Sequence, residues 1–414
     1  MHEYLASSFP QVDTTLKREI VNDYSLLYRW QGSDPSLKPI LLNAHTDVVP
    51  VEPNTEADWT HSPFSGTIAD GFIWGRGAMD MKASLMGILE AIEYLITQSF
   101  VPARTVYLAF SHDEEAGGSN GTAKIAELLE GRGVRLNYTL DEGLVITHGI
   151  VPGLAKPAAL VGLAEKGAVV LELSTRAKGG HSSMPPVSTA VGKLGRAIHR
   201  LETNQMPARL DSPVTDMFAY LAPEMPFAWR VVFANRWLFN PWLVPRLEEI
   251  QATNALVRTT TAPTVIQGGV KSNVLPSSAR AVVDFRILPG DTVTSVIEHV
   301  RATIDDPDIT IRQMGREPSE PSPVSRVAAS SFTALRKTIH QVFPDVVVAP
   351  GLVIGRTDSR RYAKLADNSY RFLPMRLAPE DLKRIHGIDE RIAVENYIEI
   401  IRFYVQVLHN TAGE

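Results

Sequence analysis

The 414-residue sequence contains no cysteine. That excludes a disulfide framework, cysteine-ligated zinc and a thiol nucleophile, so any metal must be held by histidine and carboxylates. A long apolar run is also missing. The most apolar stretch, 217–244, is broken by Glu224, Arg230, Arg236 and several prolines, whereas a membrane-spanning helix needs about 20 mostly apolar residues. No membrane span is therefore expected. Nor is there a basic stripe: 41 basic and 46 acidic residues give a formal charge of -5, so nucleic acid is not an expected partner. The first residues, Met1-His2-Glu3-Tyr4-Leu5, lack the basic start and the apolar core of about 7–15 residues that make a signal peptide. As the sequence stands, this points to the cytoplasm, and the absence of cysteine agrees with a reducing compartment. What is present is ordinary for a globular chain, with 44% hydrophobic and 21% charged residues. The length calls for two or three domain-sized units.

Residues 24–30 and 39–43 have strand character, the second apolar on both faces as in a buried parallel strand. Residues 81–97 carry apolar side chains at helical spacing. A further buried strand is expected at 105–110, a helix at 122–129, and a short strand at 137–140 that ends at Asp141-Glu142-Gly143. This alternation predicts an α/β domain with a mostly parallel sheet, whose functional residues gather beyond the carboxyl ends of strands. After about residue 164 the pattern changes. Residues 168–175 and 280–287 alternate apolar and polar, and 189–202 and 293–304 read as helices. They predict a smaller α+β layer. A buried strand at 346–354 and a helix at 395–407 close the chain. The expected organisation is a catalytic domain split into 1–164 and 317–414, with a lid or dimerisation-type domain inserted at 165–316.

Several candidate site residues lie at the predicted strand ends. His45 and Asp47 directly follow a buried strand; alone, such a pair is more often a satisfied or surface histidine. Asp80 sits in a glycine-rich turn where a helix cap would also explain it. His112-Asp113-Glu114-Glu115 gathers three acids after a buried strand, which stability gives no reason to do. One such carboxylate can bind metal while its neighbour takes a proton from water. Asp141 and Glu142 end the next strand, and His386 lies in a loop before the last helix. Two histidines and several carboxylates on one sheet edge suit zinc or a similar divalent ion. Two such ions about 3.5–4 Å apart would share a carboxylate and a water.

The sequence resembles the M20 family of metallopeptidases, in its carboxypeptidase S and N-acyl-amino-acid hydrolase (aminoacylase-like) branch. The likeness is carried in order by LLNAHTDVVPV (41–51), WTHSPFSG (59–66), GRGAMDMKAS (75–84), HDEEAGG (112–118), LDEG (140–143), GGHSSMPP (179–186), GGVKSNVLP (268–276), DFRILPGD (284–291), GRTDSRRY (355–362) and RIHGIDERI (384–392). The resemblance implies a hydrolase of amide bonds in N-acyl amino acids, or of the C-terminal residue of short peptides, working through a metal-bridging water. Two divalent ions are implied, zinc foremost, with cobalt or manganese as substitutes. His45 and His386 resemble terminal ligands, Asp80 the bridge and Glu115 a ligand. Glu114 resembles the general base, and Asp47 the acid that orients His45. The remaining ligand is one of Asp141 and Glu142. His181 resembles the oxyanion stabiliser, which in many relatives reaches the site of a dimer partner, so the resemblance allows a homodimer. Asn273 and Arg286 resemble substrate contacts, and Arg360 a binder of the substrate's free carboxylate.

Two departures stand out. Relatives usually carry an extra N-terminal segment, inside which Met1 falls, so the start reads as trimmed or truncated. Arg356 stands where relatives often have a second glycine before Thr357-Asp358. The stretch 206–247 holds Phe218, Tyr220, Phe227, Trp229, Phe233, Trp237, Phe239 and Trp242. It reads as lid-domain core or a subunit contact, with an apolar wall for a fatty-acyl chain as the functional alternative. Other readings are a dipeptidase or aminopeptidase on the same fold, and a non-catalytic binding protein. The complete set of ligands and base argues against the last.

Overall fold

A computed structural model of the chain describes every residue except Pro152, Arg316 and Glu414. The expected end of the insertion, residue 316, thus lies outside the described residues. In chain order the main strands are β1 Lys17–Val21, β2 Ser25–Trp30, β3 Ile40–His45, β4 Val106–Ser111, β5 Leu136–Thr147, β6 Ala158–Glu165, β7 Gly167–Arg176, β8 Thr260–Gly268, β9 Ser278–Ile287, β10 Thr310–Gln313, β11 Val347–Val353 and β12 Ala366–Leu377. The main helices are α1 Ala83–Thr97, α2 Thr122–Gly131, α3 Ala190–Thr203, α4 Val214–Leu221, α5 Phe227–Ala234, α6 Arg236–Glu248, α7 Gln251–Val257, α8 Val293–Ile304, α9 Ser330–Val342 and α10 Val394–Ala412.

Eight strands form one sheet in the order β1-β2-β4-β3-β5-β12-β6-β11. Its centre is parallel: β3 pairs in parallel with β4 and β5, and β5 with β12. Every residue of β3 is buried, because both faces are covered. Ile40, Leu42 and Ala44 point into the core shared with α1, α9 and α10. Leu41 points the other way, into the core beneath α2. This period-two division of a wholly buried strand is what a sheet sandwiched between helices requires. The fold is α/β.

β5 runs farther than its sequence suggests. It continues through Asp141-Glu142-Gly143 to Thr147, and its pairing with β12 slips between Arg371 and Phe372. Gly143 lies at the slip with φ +145°, where a Cβ would come within 2.8 Å of the Arg371 Cβ. The acidic pair therefore occupies an irregularity inside a long strand rather than a strand end.

A second, antiparallel sheet has the order β8-β9-β7-β10. Val169, Leu171 and Leu173 of β7 face a core shared with α3 and α8, while Glu172 and Ser174 between them face away. Thr189 caps α3 by accepting the Gly192 N–H at 3.0 Å. The expectation that the aromatic stretch forms lid core is corrected here. Phe218, Phe233 and Leu243 pack with Ala349 and Leu352 of β11, on the outer strand of the large sheet and apart from the lid's own core. No helix among the described residues is long and apolar enough to cross a membrane.

Candidate metal centre and active site

The centre forms where β3 and β4 leave the sheet, beside the irregularity within β5 and two loops. His45 is the last residue of β3 and is buried. Its Nε2 lies 3.0 Å from Asp80 Oδ1, and its Nδ1 lies 3.2 Å from Asp47 Oδ1. Asp80, in the turn before α1, directs its other oxygen to His386: Oδ2 is 3.1 Å from His386 Nε2. One carboxylate thus faces two histidines, one of them 306 positions away from it in sequence. Glu115 Oε1 is 3.3 Å from His386 Nε2, and Glu142 Oε2 is 3.6 Å from His45 Nε2. Two groups have donor atoms converging within 4.8 Å: His45, Asp80 and Glu115, and His45, Glu114 and Glu142.

Asp47 does more than orient His45. Its two oxygens accept the backbone N–H of Glu114 (3.3 Å) and of Glu115 (3.0 Å), fixing the acidic turn after β4. Asp113, the third acid of that run, accepts from the Asn120 and Gly121 N–H groups at 2.7 and 2.8 Å. It ties the loop to the start of α2 and faces away from the histidines' partners. Gly118 permits the tight return. It has φ +67°, and a Cβ there would lie 2.2 Å from Asp358 Oδ1. Asp141 is buried behind Glu142, with Oδ1 accepting from Asn43 Nδ2 and from the Glu142 N–H, both at 2.9 Å. Its Oδ2 is buried without a hydrogen-bond partner.

The electrostatics are those of crowded carboxylates. Burial pushes the Glu114 carboxyl up to about 9, with the charges of Asp358, Glu115 and Asp141 adding to the effect against His45. Burial and the Asp80 charge likewise raise Glu142 and Glu115. Burial alone would lower His45, but its hydrogen bonds with Asp47, Asp80 and Glu142 outweigh it and raise the imidazole. Burial opposes ionisation of Asp80, yet hydrogen bonds from His386 and His45 hold it well below the usual carboxylate range. Four carboxylates against two imidazoles leave negative charge that cations would neutralise. Nitrogen and oxygen donors without sulfur fit a divalent ion of the zinc, cobalt or manganese type.

Sequence reasoning missed the pair that holds this centre together. Arg76 and Glu390 are both buried, with Nη1 and Oε2 2.6 Å apart. Glu390 Oε1 accepts the N–H groups of Met79 and Asp80 at 2.8 and 3.2 Å. Arg76 Nη2 donates to the carbonyls of His386 and Gly387 at 3.1 and 3.0 Å. One ion pair therefore sets both the Asp80 turn and the His386 loop. The only signal was that each lies within a motif that also carries a candidate ligand, Arg76 in GRGAMD and Glu390 in HGIDE.

The remaining candidates lie elsewhere. His181 is in a short exposed strand of the lid, Gly180–His181, paired with Val274–Leu275, and its hydrogen bonds are with Ser183. Asn273 immediately precedes the paired strand, its carbonyl accepting the Ser182 N–H at 3.1 Å. Arg286, on β9, pairs with Asp284 at 2.9 Å. Arg360 donates to the carbonyls of Thr357 and Gly117 at 2.5 and 2.7 Å, so part of its guanidinium braces the acidic turn. It borders a cleft of about 340 Å³ with Arg356, Arg361 and Glu317.

An α/β sheet that brings two histidines and four carboxylates together offers the donor set of a metal-dependent enzyme. The chain belongs to peptidase family M20/M25/M40, whose sequence pattern matches residues 41–410. It is 45% identical over 99% of its length, and 79% of the relative's, to a "Probable carboxypeptidase S-like 2" of Dictyostelium discoideum. It is 41% identical to the human "N-fatty-acyl-amino acid synthase/hydrolase PM20D1", covering 99% of this chain and 81% of that protein. Carboxypeptidase S of Saccharomyces cerevisiae is 33% identical over 99% of this chain and 78% of its own length. In fold the chain matches the crystal structure of an M20 metallo-carboxypeptidase of Sulfolobus solfataricus, with TM-score 0.68 at 20% identity over 98% and 93% of the two chains. The expected enzyme class and fold are both met.

Proposed function

We propose that this enzyme hydrolyses the amide bond of N-acyl amino acids, or releases the C-terminal residue of short peptides, with two divalent cations, zinc foremost. The observation that carries the reading is Asp80, one carboxylate presenting an oxygen to each of His45 and His386. In this assignment His45 and Glu142 would hold one ion, His386 and Glu115 the other, and Asp80 both. Glu142 is preferred over Asp141 because it is the one near His45, whereas Asp141 is spent on Asn43 and on the backbone. Bound there, the cations would polarise the scissile carbonyl and lower the pKa of a water to about 7.

Glu114 would take a proton from the attacking water as its oxygen bonds to the carbonyl carbon, and would pass that proton to the leaving nitrogen as the C–N bond breaks. Asp47 holds both the His45 ring and the Glu114 backbone, so base and ligand move as one unit. His181 donates to the developing oxyanion. Its place on the exposed lid hairpin suits delivery from a partner subunit in a homodimer. Asn273, beside it, and Arg286 would meet the substrate from the lid. Arg360 keeps three of its five N–H groups beyond the two spent on carbonyls and would take the substrate's free carboxylate. The domain division at 1–164, 165–316 and 317–414 belongs to this proposal.

The names of the relatives favour an acyl amino acid over a long peptide. A hydrolysis panel of N-acyl amino acids and dipeptides, run after chelation and again with zinc, cobalt or manganese restored, tests the reading. Hydrolysis of the N-acyl series that vanishes on chelation and returns with metal is expected. Full activity in the chelated protein overturns the mechanism, and cleavage confined to dipeptides overturns the N-acyl amino acid as substrate.

A further inference from the structure

Helices α5 and α6 form a hairpin that turns at Asn235, and its two sides differ. Inward, Phe233 stacks on Phe218 with ring centres 4.5 Å apart, and Leu243 is fully buried. These residues anchor the hairpin to the edge of the large sheet. Outward, Trp237 is 81% exposed, Phe227 72%, Leu238 57% and Trp242 48%. Trp229 meets Trp242 across the hairpin at 6.3 Å, and Trp237 and Leu238 follow the turn directly, so both the body and the tip of the hairpin expose apolar side chains. Scattered apolar residues need no explanation, but several on one short anchored hairpin do.

The charge of the same segment is one-sided at its tip. Near the turn it carries Arg230 and Arg236 and no acid, whereas at the base of the hairpin Glu224, Glu248 and Glu249 offset Arg246, which lies 3.6 Å from Glu249. Two of these arginines lie against the exposed rings, Arg230 at 5.7 Å from Phe227 and Arg246 at 5.9 Å from Trp242. Tryptophan beside arginine on a short helical hairpin is the composition of a segment that lies at a lipid–water boundary. The rings sit at headgroup depth while the guanidinium groups reach phosphate. We propose that this hairpin docks the enzyme on an anionic phospholipid bilayer, with Trp237 and Leu238 entering the headgroup layer and Arg230 and Arg236 pairing with lipid phosphates. Docking concerns the outer face of the hairpin and is independent of the chemistry proposed for the metal centre.

Flotation of the full chain with vesicles tests this, comparing phosphatidylcholine alone with an equimolar mixture with phosphatidylglycerol. The protein is expected to float with the anionic vesicles, to bind neutral ones weakly, and to be released as salt screens the arginines. Replacing Arg230 and Arg236 together by Gln should weaken binding to anionic vesicles about thirtyfold. The pair Trp237→Ser and Leu238→Ser should weaken binding to both kinds of vesicle. Phe227→Ser, distant from the anchoring side chains, is a second apolar variant should the pair disturb folding, and the melting temperature of each variant reports on that. Wild-type protein that fails to float with anionic vesicles overturns the proposal, as does equal flotation of wild type and folded variants. A wild-type dimer that the Trp237→Ser, Leu238→Ser pair converts to monomer, with no vesicle binding in either form, would assign the patch to a second copy of the chain instead.

Discussion

At the scale of single residues, Glu114 and Glu115 are neighbours with different surroundings. Glu115 lies against His386, while Glu114 is more deeply buried and its carboxyl is pushed up to about 9. Glu114→Gln keeps the shape and removes the base. It should lower kcat by about 100- to 10,000-fold while leaving two metals per chain by elemental analysis, and loss of metal instead would make Glu114 a ligand. The same crowding gives the chelated protein a distinctive pH dependence. A carboxyl raised from 4.5 to about 9 favours the folded chain below pH 4.5, and that contribution is lost as the pH rises through about 9. His45 and His386, both raised from 6.5, act in the same sense over the upper part of the window. Asp80, lowered from 3.8, acts oppositely, its contribution present above that pH and lost in acid. Melting of the chelated chain should therefore fall from about pH 5 to pH 9. Zinc at about 1,000 times its Kd should add about 4 kcal/mol and flatten the curve. A flat profile without metal would mean the carboxylates do not interact.

At the scale of elements, the site is a set of strand ends and loops held at fixed distances, and the Arg76–Glu390 pair supplies much of the holding. Removing one partner of a buried pair leaves an uncompensated charge and costs about 3–5 kcal/mol. Arg76→Met should lose that much in chemical denaturation and weaken zinc binding about 10- to 100-fold, the usual effect of losing a group that positions ligands. Replacing Arg76 and Glu390 together by apolar residues should recover part of the stability but not the zinc affinity. The Met79 and Asp80 N–H groups would still lack the acceptor that Glu390 Oε1 provides. Recovery of both would reduce the pair to a stability device.

These elements also show what was legible in the sequence. β3 and β4 were readable because both of their faces are buried, and His45 and Glu114-Glu115 follow them directly. α8 was readable to the residue, Val293–Ile304, because Thr292 caps it after a proline–glycine turn. The continuation of β5 through Asp141-Glu142-Gly143 was not, since a strand that slips register at a glycine carries the same composition as a strand that stops. The Arg76–Glu390 contact was not either: each residue is unremarkable locally, and only the fold brings together positions 314 apart. Arg360 reads as a free cation in sequence, yet its hydrogen bonds to the Thr357 and Gly117 carbonyls depend on loop conformation that no spacing encodes. The aromatic stretch was recognisable as apolar, but which rings face the sheet and which face outward is set by where α5 and α6 dock.

At the scale of the whole molecule, the metal centre and the residue proposed to stabilise the oxyanion belong to different layers. His45, Asp80 and Glu114 sit on the edge of the large sheet, and His181 on an exposed hairpin of the lid. Two arrangements bring them together: the lid closes over its own site, or the hairpin reaches into a second subunit. A closed two-fold dimer is self-complementary, so each subunit would both give and receive His181. Mixing two inactive variants separates these cases. In a dimer of His181→Ala with Glu114→Gln, one site has both defects and the other has neither if His181 acts across the interface. Random exchange makes half the dimers mixed, and each mixed dimer has one intact site of two, so about a quarter of wild-type activity should return. Each variant alone should remain depressed, His181→Ala by about 100- to 1000-fold. If His181 serves its own subunit, mixing restores nothing, because every site then carries one of the two defects. Recovered activity would place the complete active site in the pair of chains, and its absence would place it within one chain whose lid must move.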